Sequence, residues 1–338
     1  ISVRQEWLET VLTGEKKWIL ENQGPEGEIY MNGSKAGDVN PYFACMAALG
    51  LLAETKNCPI TETEKKAVGR YLDWHTGILL ETDGKMGIYR KESGKLIYKE
   101  KADSEDGYLG MYLFLMGKYL EKTESTDLPE YWKKGISLAL KKIQSLMQDG
   151  ITQVSEENTT AYLMDNLEVW KGLYELELAG LEDTQAISEM RKKIQEQIEK
   201  IFWDDANQRW RIIGNSDLYH QKEFYPDGVA QIYPLIYGFP VKEKKKQKVL
   251  YDQFTERFQW QKLNKKRTGF LWAMTGMVAA QMGDINNLVE LIRNYETEYC
   301  ENRKYPLYTG EAGWICMECG KLYGIYERKI KTGFILCT

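Results

Sequence analysis

Asp106-Gly-Tyr-Leu-Gly-Met-Tyr-Leu-Phe-Leu-Met-Gly-Lys-Tyr-Leu120 is apolar on nearly every face, and a helix without a polar face has to be buried. The segment that follows it, 129–147, opens with Pro129-Glu-Tyr-Trp-Lys-Lys134 and carries polar residues down one side, so that helix faces water. Outward from this pair the same alternation repeats along the chain. Apolar segments at 41–54, 106–120, 161–179, 226–238, 269–282 and 312–326 are interleaved with amphipathic ones at 3–21, 62–79, 129–147, 184–201, 242–259 and 284–299. Six helical hairpins result, each with one outer and one inner helix. Closing them into a ring buries every inner helix and leaves no open end repeat.

The fold expected is therefore all-α, an (α/α)6 toroid with short β-hairpin insertions. It forms a single domain over residues 1–328, and the tail 329–338 has no assigned role. Length alone suggests about two domains, but no Pro-, Gly- or Ser-rich linker interrupts the rhythm. Local punctuation agrees: Pro41, Pro129 and Pro226 fall at helix first turns, and Thr61 with Glu64 forms a capping box. Two stretches alternate apolar with polar around a turn and are read as hairpins, Met86 to Tyr98 and Phe202 to Ile212. Both precede an inner helix, so both are expected to wall the end where the inner helices begin.

Composition narrows the chemistry. The chain has 338 residues, 43% hydrophobic and 12% aromatic, enough for a large core. With 45 Lys and Arg against 50 Asp and Glu the net charge is −5, which is no footprint for nucleic acid. No apolar run reaches the ~20 residues of a membrane helix. Only His75 and His220 are present, which removes the usual equipment of zinc or paired-histidine catalysis. His75, after Trp74 near a helix end, is read as a surface or loop histidine, and His220 likewise. Cys45, Cys58, Cys300, Cys316, Cys319 and Cys337 are scattered, and the CxxC of Cys316 and Cys319 lies in an apolar helical run, so buried thiols are expected. No cofactor and no metal is expected, and the chain is expected to be a monomer. It begins at Ile1 rather than Met, which leaves room for a removed export segment, and a secreted or cell-surface location is expected over a cytoplasmic one.

The starts of the inner helices collect carboxylates and aromatics. Asp38 and Tyr42 lead into the first, Asp103, Asp106 and Tyr108 into the second, and Tyr162, Asp165 and Glu168 into the third. Tyr225 and Asp227 lead into the fourth, Arg267 and Trp272 into the fifth, Glu311 and Trp314 into the sixth. Asp103 and Asp106 also fit an N-cap with an acidic third residue. Asp165 and Glu168 lie about a turn past a cap expected at Thr159 or Thr160, so capping does not explain both. A mixture of rings and carboxylates suits a sugar: pyranose faces stack on Trp and Tyr, and a carboxyl pair handles protons. The catalytic candidates are Asp103, Asp106, Asp165, Glu168 and Asp227. Asp38, Tyr42, Tyr108, Tyr162, Tyr225, Trp272, Glu311 and Trp314 are the substrate-binding candidates.

At Asn40-Pro-Tyr-Phe-Ala44, Ala102-Asp-Ser-Glu-Asp-Gly-Tyr108, Tyr162-Leu-Met-Asp-Asn-Leu-Glu168 and Gly269-Phe-Leu-Trp272 the sequence resembles the six-hairpin glycosidase superfamily, in particular its poorly characterised bacterial members. The resemblance implies a saccharide cleft at the inner-helix N-termini and inversion at the anomeric carbon, with matching acidic positions Asp103, Asp106, Asp165 and Glu168. Inverting hydrolysis needs two carboxylates ~6.5–9.5 Å apart, a separation that neighbouring inner helices can provide. One of Asp103 or Asp106 would pair with one of Asp165, Glu168 or Asp227. Two alternatives stay open: a noncatalytic carbohydrate-binding toroid, and a polysaccharide lyase with a tyrosine or histidine base acting on a uronic acid.

Overall fold

Helix α2 (Pro41–Leu51) starts where the Tyr42 amide donates to Asn40 Oδ1 and a proline occupies the first helical position, where its missing N–H is no loss. Helix α3 (Glu62–Glu81) starts on the Thr61–Glu64 capping box, with both reciprocal hydrogen bonds present. Such local signals set the starts of these two helices in the computed structural model of the chain, which describes residues 3–33, 37–125, 127–181, 184–214, 216, 223–263 and 269–331. His220, Arg267, Cys337 and the tail beyond Lys331 lie outside them.

Twelve α-helices are present among the described residues: α1 (Val3–Glu21), α2, α3, α4 (Glu105–Thr123), α5 (Glu130–Leu146), α6 (Leu163–Leu178), α7 (Thr184–Phe202), α8 (Val229–Ile236), α9 (Lys244–Phe258), α10 (Thr275–Met282), α11 (Ile285–Tyr295) and α12 (Thr309–Lys331). The even-numbered helices touch in sequence, α2 to α4 to α6 to α8 to α10 to α12, and α12 returns to α2 to close the ring. The odd-numbered ones lie outside: α1 on α12 and α2, α3 on α2 and α4, α5 on α4, α7 on α6, α9 on α8, and α11 on α10 and α12. This is the all-α toroid expected from the alternation. No described helix is long and apolar enough to cross a membrane.

Glycines draw two inner seams together. A Cβ on Gly110 of α4 would sit 2.7 Å from the Glu168 carbonyl carbon, and one on Gly172 of α6 would sit 2.3 Å from Gly110 O. Across the closing seam, a Cβ on Gly50 of α2 would fall 2.4 Å from Gly313 Cα of α12. Backbones this close leave room for hydrogen alone, so these positions require glycine for space rather than for backbone freedom.

Both expected hairpins form. β2 (Gly87–Glu92) pairs antiparallel with β3 (Lys95–Lys101), and β6 (Trp203–Asp204) pairs with β7 (Arg209–Trp210). The sequence pattern did not foresee that β1 (Asp38–Val39) joins β2, with Asp38 opposite Arg90, nor the short pair β4 (Met147–Gln148) and β5 (Ile151–Thr152).

Four local expectations need correction. His75 is buried, not on the surface: it shares an inward face of α3 with Tyr71, whose hydroxyl lies 3.1 Å from Nδ1, and Cys45 Sγ lies 3.7 Å away. Burial pushes its pKa down to about 3. Helix α6 begins at Leu163 after Tyr162, which makes no side-chain cap, so Asp165 falls in the first turn. Helix α10 begins at Thr275 rather than near 269, because the intervening residues form a turn in which Trp272 takes φ +58°. Helix α12 runs on to Lys331, past the boundary expected at 328.

Candidate functional site

The six inner-helix starts meet end to end around one rim. The Tyr42 ring stands 5.6 Å from Tyr108, linking the starts of α2 and α4. A Cβ on Gly107 would lie 2.7 Å from Glu168 Oε2 and 3.3 Å from Asp165 Oδ1, so α4 begins against the carboxylates of α6. The negative charge of Asp165 bears on Tyr225, which precedes α8, and the Tyr225 ring packs on Trp272, centroids 4.9 Å apart, before α10. The Trp272 amide donates to Glu311 Oε1 of α12 at 3.1 Å, and Gly310 abuts Phe43 O of α2.

Within this rim the carboxylates fall into different surroundings. Ser104, not Asp103, caps α4 through the Gly107 amide, which leaves Asp103 exposed on the loop ahead of the helix. Asp103 still lies close enough to bear electrostatically on Tyr108, Asp165, Glu168 and Tyr225. Asp106 is sealed in. It accepts from Thr152 Oγ1 at 2.7 Å, Ser104 Oγ at 2.8 Å and the Gly107 amide at 3.0 Å, and Thr152 is held in turn by Asn166. Burial pushes its pKa up to about 6 against the pull of those donors.

Asp165 stays partly open to solvent. Desolvation, then the charges of Asp106 and Glu168, pushes its carboxyl well above the usual range, while Ser104 works the other way. Glu168, one turn deeper, is buried at the centre of a tyrosine cage. Its Oε1 accepts from Tyr42, from Tyr233 at 2.6 Å and from Tyr237 at 3.5 Å. Burial carries its pKa up to about 8 despite the hydroxyls of Tyr233 and Tyr42. Neither Tyr233 nor Tyr237 stood out in the sequence. Each lies in an apolar segment where a tyrosine reads as core, and only a contact from another helix marks it.

Asp227 is buried within the turn Phe224–Gly228 ahead of α8. Asp38 is not open to the rim, since Arg90 and Lys99 of the hairpin hold it at 2.7 and 2.8 Å. Burial raises its carboxyl, but those two cations bring it below the usual range. Glu311 accepts the amides of Trp272 and Ala273, and burial pushes its pKa up to about 7. Trp314 and Tyr108 are buried, whereas Tyr42, Tyr162 and Trp272 are partly exposed and Tyr225 is 44% exposed. Phe43 and Phe270, stacked at 5.1 Å, and Tyr308 extend the aromatic side of the rim beyond the residues singled out in the sequence. Cys316 and Cys319 are buried in α12. Among the described residues no cluster of His, Cys, Asp and Glu could hold a metal ion.

No protein-family profile and no curated protein matches the sequence. Solved structures do. A glycosidase variant is 12% identical with a TM-score of 0.66, over 95% of this chain and 98% of its own. A second glycosidase variant, in complex with glucose, is 12% identical with a TM-score of 0.65 over the same shares. A type II terpene cyclase from Scytonema, in complex with geranylgeranyl dihydroxybenzoate, is 11% identical with a TM-score of 0.58, over 95% of this chain and 99% of its own. The class defined here is thus the α/α toroid that glycosidases and cyclases alike adopt. At these identities the likeness establishes the fold, and function has to be argued from the rim.

Proposed function

We propose that the chain is a glycoside hydrolase acting on an oligo- or polysaccharide at the rim of the toroid. The observation that carries this reading is the pairing of Asp103 and Asp165. They come from adjacent inner-helix starts, both reach solvent, and they stand beside the Tyr225–Trp272 wall. Asp165, its carboxyl raised well above the usual range by desolvation and by the charges of Asp106 and Glu168, is suited to give a proton to the leaving glycosidic oxygen. Asp103, exposed on the loop ahead of α4, is suited to activate the attacking water, and the outcome is inversion. Asp106 and Glu168 are enclosed and act on Asp165 through their charge.

A lyase is the weaker reading. The hydroxyls of Tyr42, Tyr233 and Tyr237 are raised well above the tyrosine range by burial and by Glu168, which makes each a poor base. The test is release of reducing ends from a panel of glucans, xylans and chitosans. Asp165→Asn and Asp103→Asn should each lose about 100-fold or more in rate while unfolding cooperatively. Full activity in either variant overturns its assignment. A wild-type protein that binds glycans by calorimetry and cleaves none is a noncatalytic toroid.

A further inference from the structure

We propose that Glu311 is a positioning residue. Its carboxylate holds the Leu271–Ala273 backbone and so fixes Trp272 against Tyr225 as a stacking face for a pyranose ring. The inference rests on the saccharide reading of the rim and adds to it how the platform is built.

Glu311 projects from the first turn of α12 and is only 6% exposed. Its Oε1 accepts the Trp272 amide at 3.1 Å, its Oε2 accepts the Ala273 amide at 2.8 Å, and the Leu271 amide also bonds to it. Three successive amides around one carboxylate form an anion-holding nest. Here the anion comes from the chain itself, 38 residues beyond Ala273. Both oxygens are thus engaged by backbone.

The segment held this way needs holding. Trp272 sits at φ +58°, a left-handed conformation that is strained for a bulky residue. Its carbonyl is gripped from the other side by Thr275 Oγ1 at 2.7 Å. Helix α10, which follows, has no side-chain cap of its own at Met274. With the backbone fixed, the indole lies in a box of rings: Tyr225 at 4.9 Å, Phe224 at 5.9 Å and Phe270 at 6.4 Å. Small changes in φ and ψ at this residue would swing the ring off Tyr225.

Two measurements test the proposal. The first needs no ligand: the near-ultraviolet dichroism that Trp272 contributes, taken as the difference from Trp272→Phe. Glu311→Gln keeps one of the two acceptor oxygens and carries no charge, so that difference signal should fall by half or more. Thr275→Val, which releases the carbonyl without touching Glu311, should reduce it in the same direction and covers the case in which the glutamine variant fails to fold. The second is calorimetric affinity for cellohexaose, maltohexaose and laminarihexaose. Glu311→Gln should weaken the hexaose that binds by about threefold to tenfold, the worth of one aromatic stack, and should have no further effect in a Trp272→Ala background. An unchanged Trp272 signal in Glu311→Gln overturns the proposal. So does equal weakening in both backgrounds, which would mean that Glu311 touches the sugar itself. If the wild type binds no hexaose, the saccharide reading loses support, while the dichroism still decides the role of Glu311.

Discussion

Tyr42 on α2 donates its hydroxyl to Glu168 on α6, reaching past the intervening α4. Tyr233 and Tyr237 bring α8 to the same oxygen, so three inner helices meet on one carboxylate at the middle of the ring. Glu168 is thereby an axial tie, and Asp165, one turn above it, meets the solvent.

That relationship predicts the pH behaviour of catalysis. The charges of Asp106 and Glu168 raise Asp165, so Glu168→Gln removes one of them and lowers the Asp165 pKa. If Asp165 is the acid, the alkaline limb of the kcat/KM profile marks its deprotonation, and in Glu168→Gln that limb should move to lower pH. A limb that stays in place, or moves up, would remove Asp165 from the role of acid.

Stability should carry a related signature. Asp106, Glu311 and Glu168 have folded-state values near 6, 7 and 8, all above those of an unfolded chain. The native state therefore binds more protons than the unfolded state across this interval. The stabilising contribution is complete below about pH 4, where both states are protonated, and is lost as pH rises through 6 to 8. Melting temperatures of wild type and Glu168→Gln, compared between pH 4.5 and 8.5, should diverge, with the wild type losing more on the alkaline side.

Thr152 links Asp106 to Asn166. Thr152→Val keeps the shape but leaves Asp106 Oδ2 without its donor, which should cost about 1–3 kcal/mol in urea unfolding. Asp106→Asn combined with Thr152→Val should cost less than the sum of the single changes. Additive losses would show that the two side chains do not act together.

The glycine seams predict a steric penalty. Gly172→Ala puts a methyl 2.3 Å from Gly110 O, so α4 and α6 must separate. A loss of about 1–3 kcal/mol is expected from overpacking. Gly14→Ala, at a helical position with nothing within 4 Å, is the control and should stabilise slightly. Equal effects at the two sites would contradict the packing described.

Much of this architecture is legible along the chain because burial on all sides leaves a strong mark. The 106–120 segment can only be an inner helix, and its partners repeat the pattern. What escaped is set by distant contacts. The Gly269–Met274 run reads as helix by composition, yet a carboxylate 39 residues beyond Trp272 holds it as a turn. The α6 start was placed too early because Thr159 and Thr160 look like caps, whereas the Thr160 carbonyl is drawn to Val154 instead. His75 was read from its neighbours in sequence, and its burial comes from α2 and α4 packing over it. At the rim, the acidic positions could be read off, but which of them are enclosed could not, since the cage around Glu168 is assembled from α2 and α8.

The seam between α12 and α2 has a temporal consequence. It joins helices more than 260 residues apart, Gly313 against Gly50, so the last major inner surface to be covered is the one nearest the beginning. Until α12 has been synthesised, the face of α2 that it covers has no such partner.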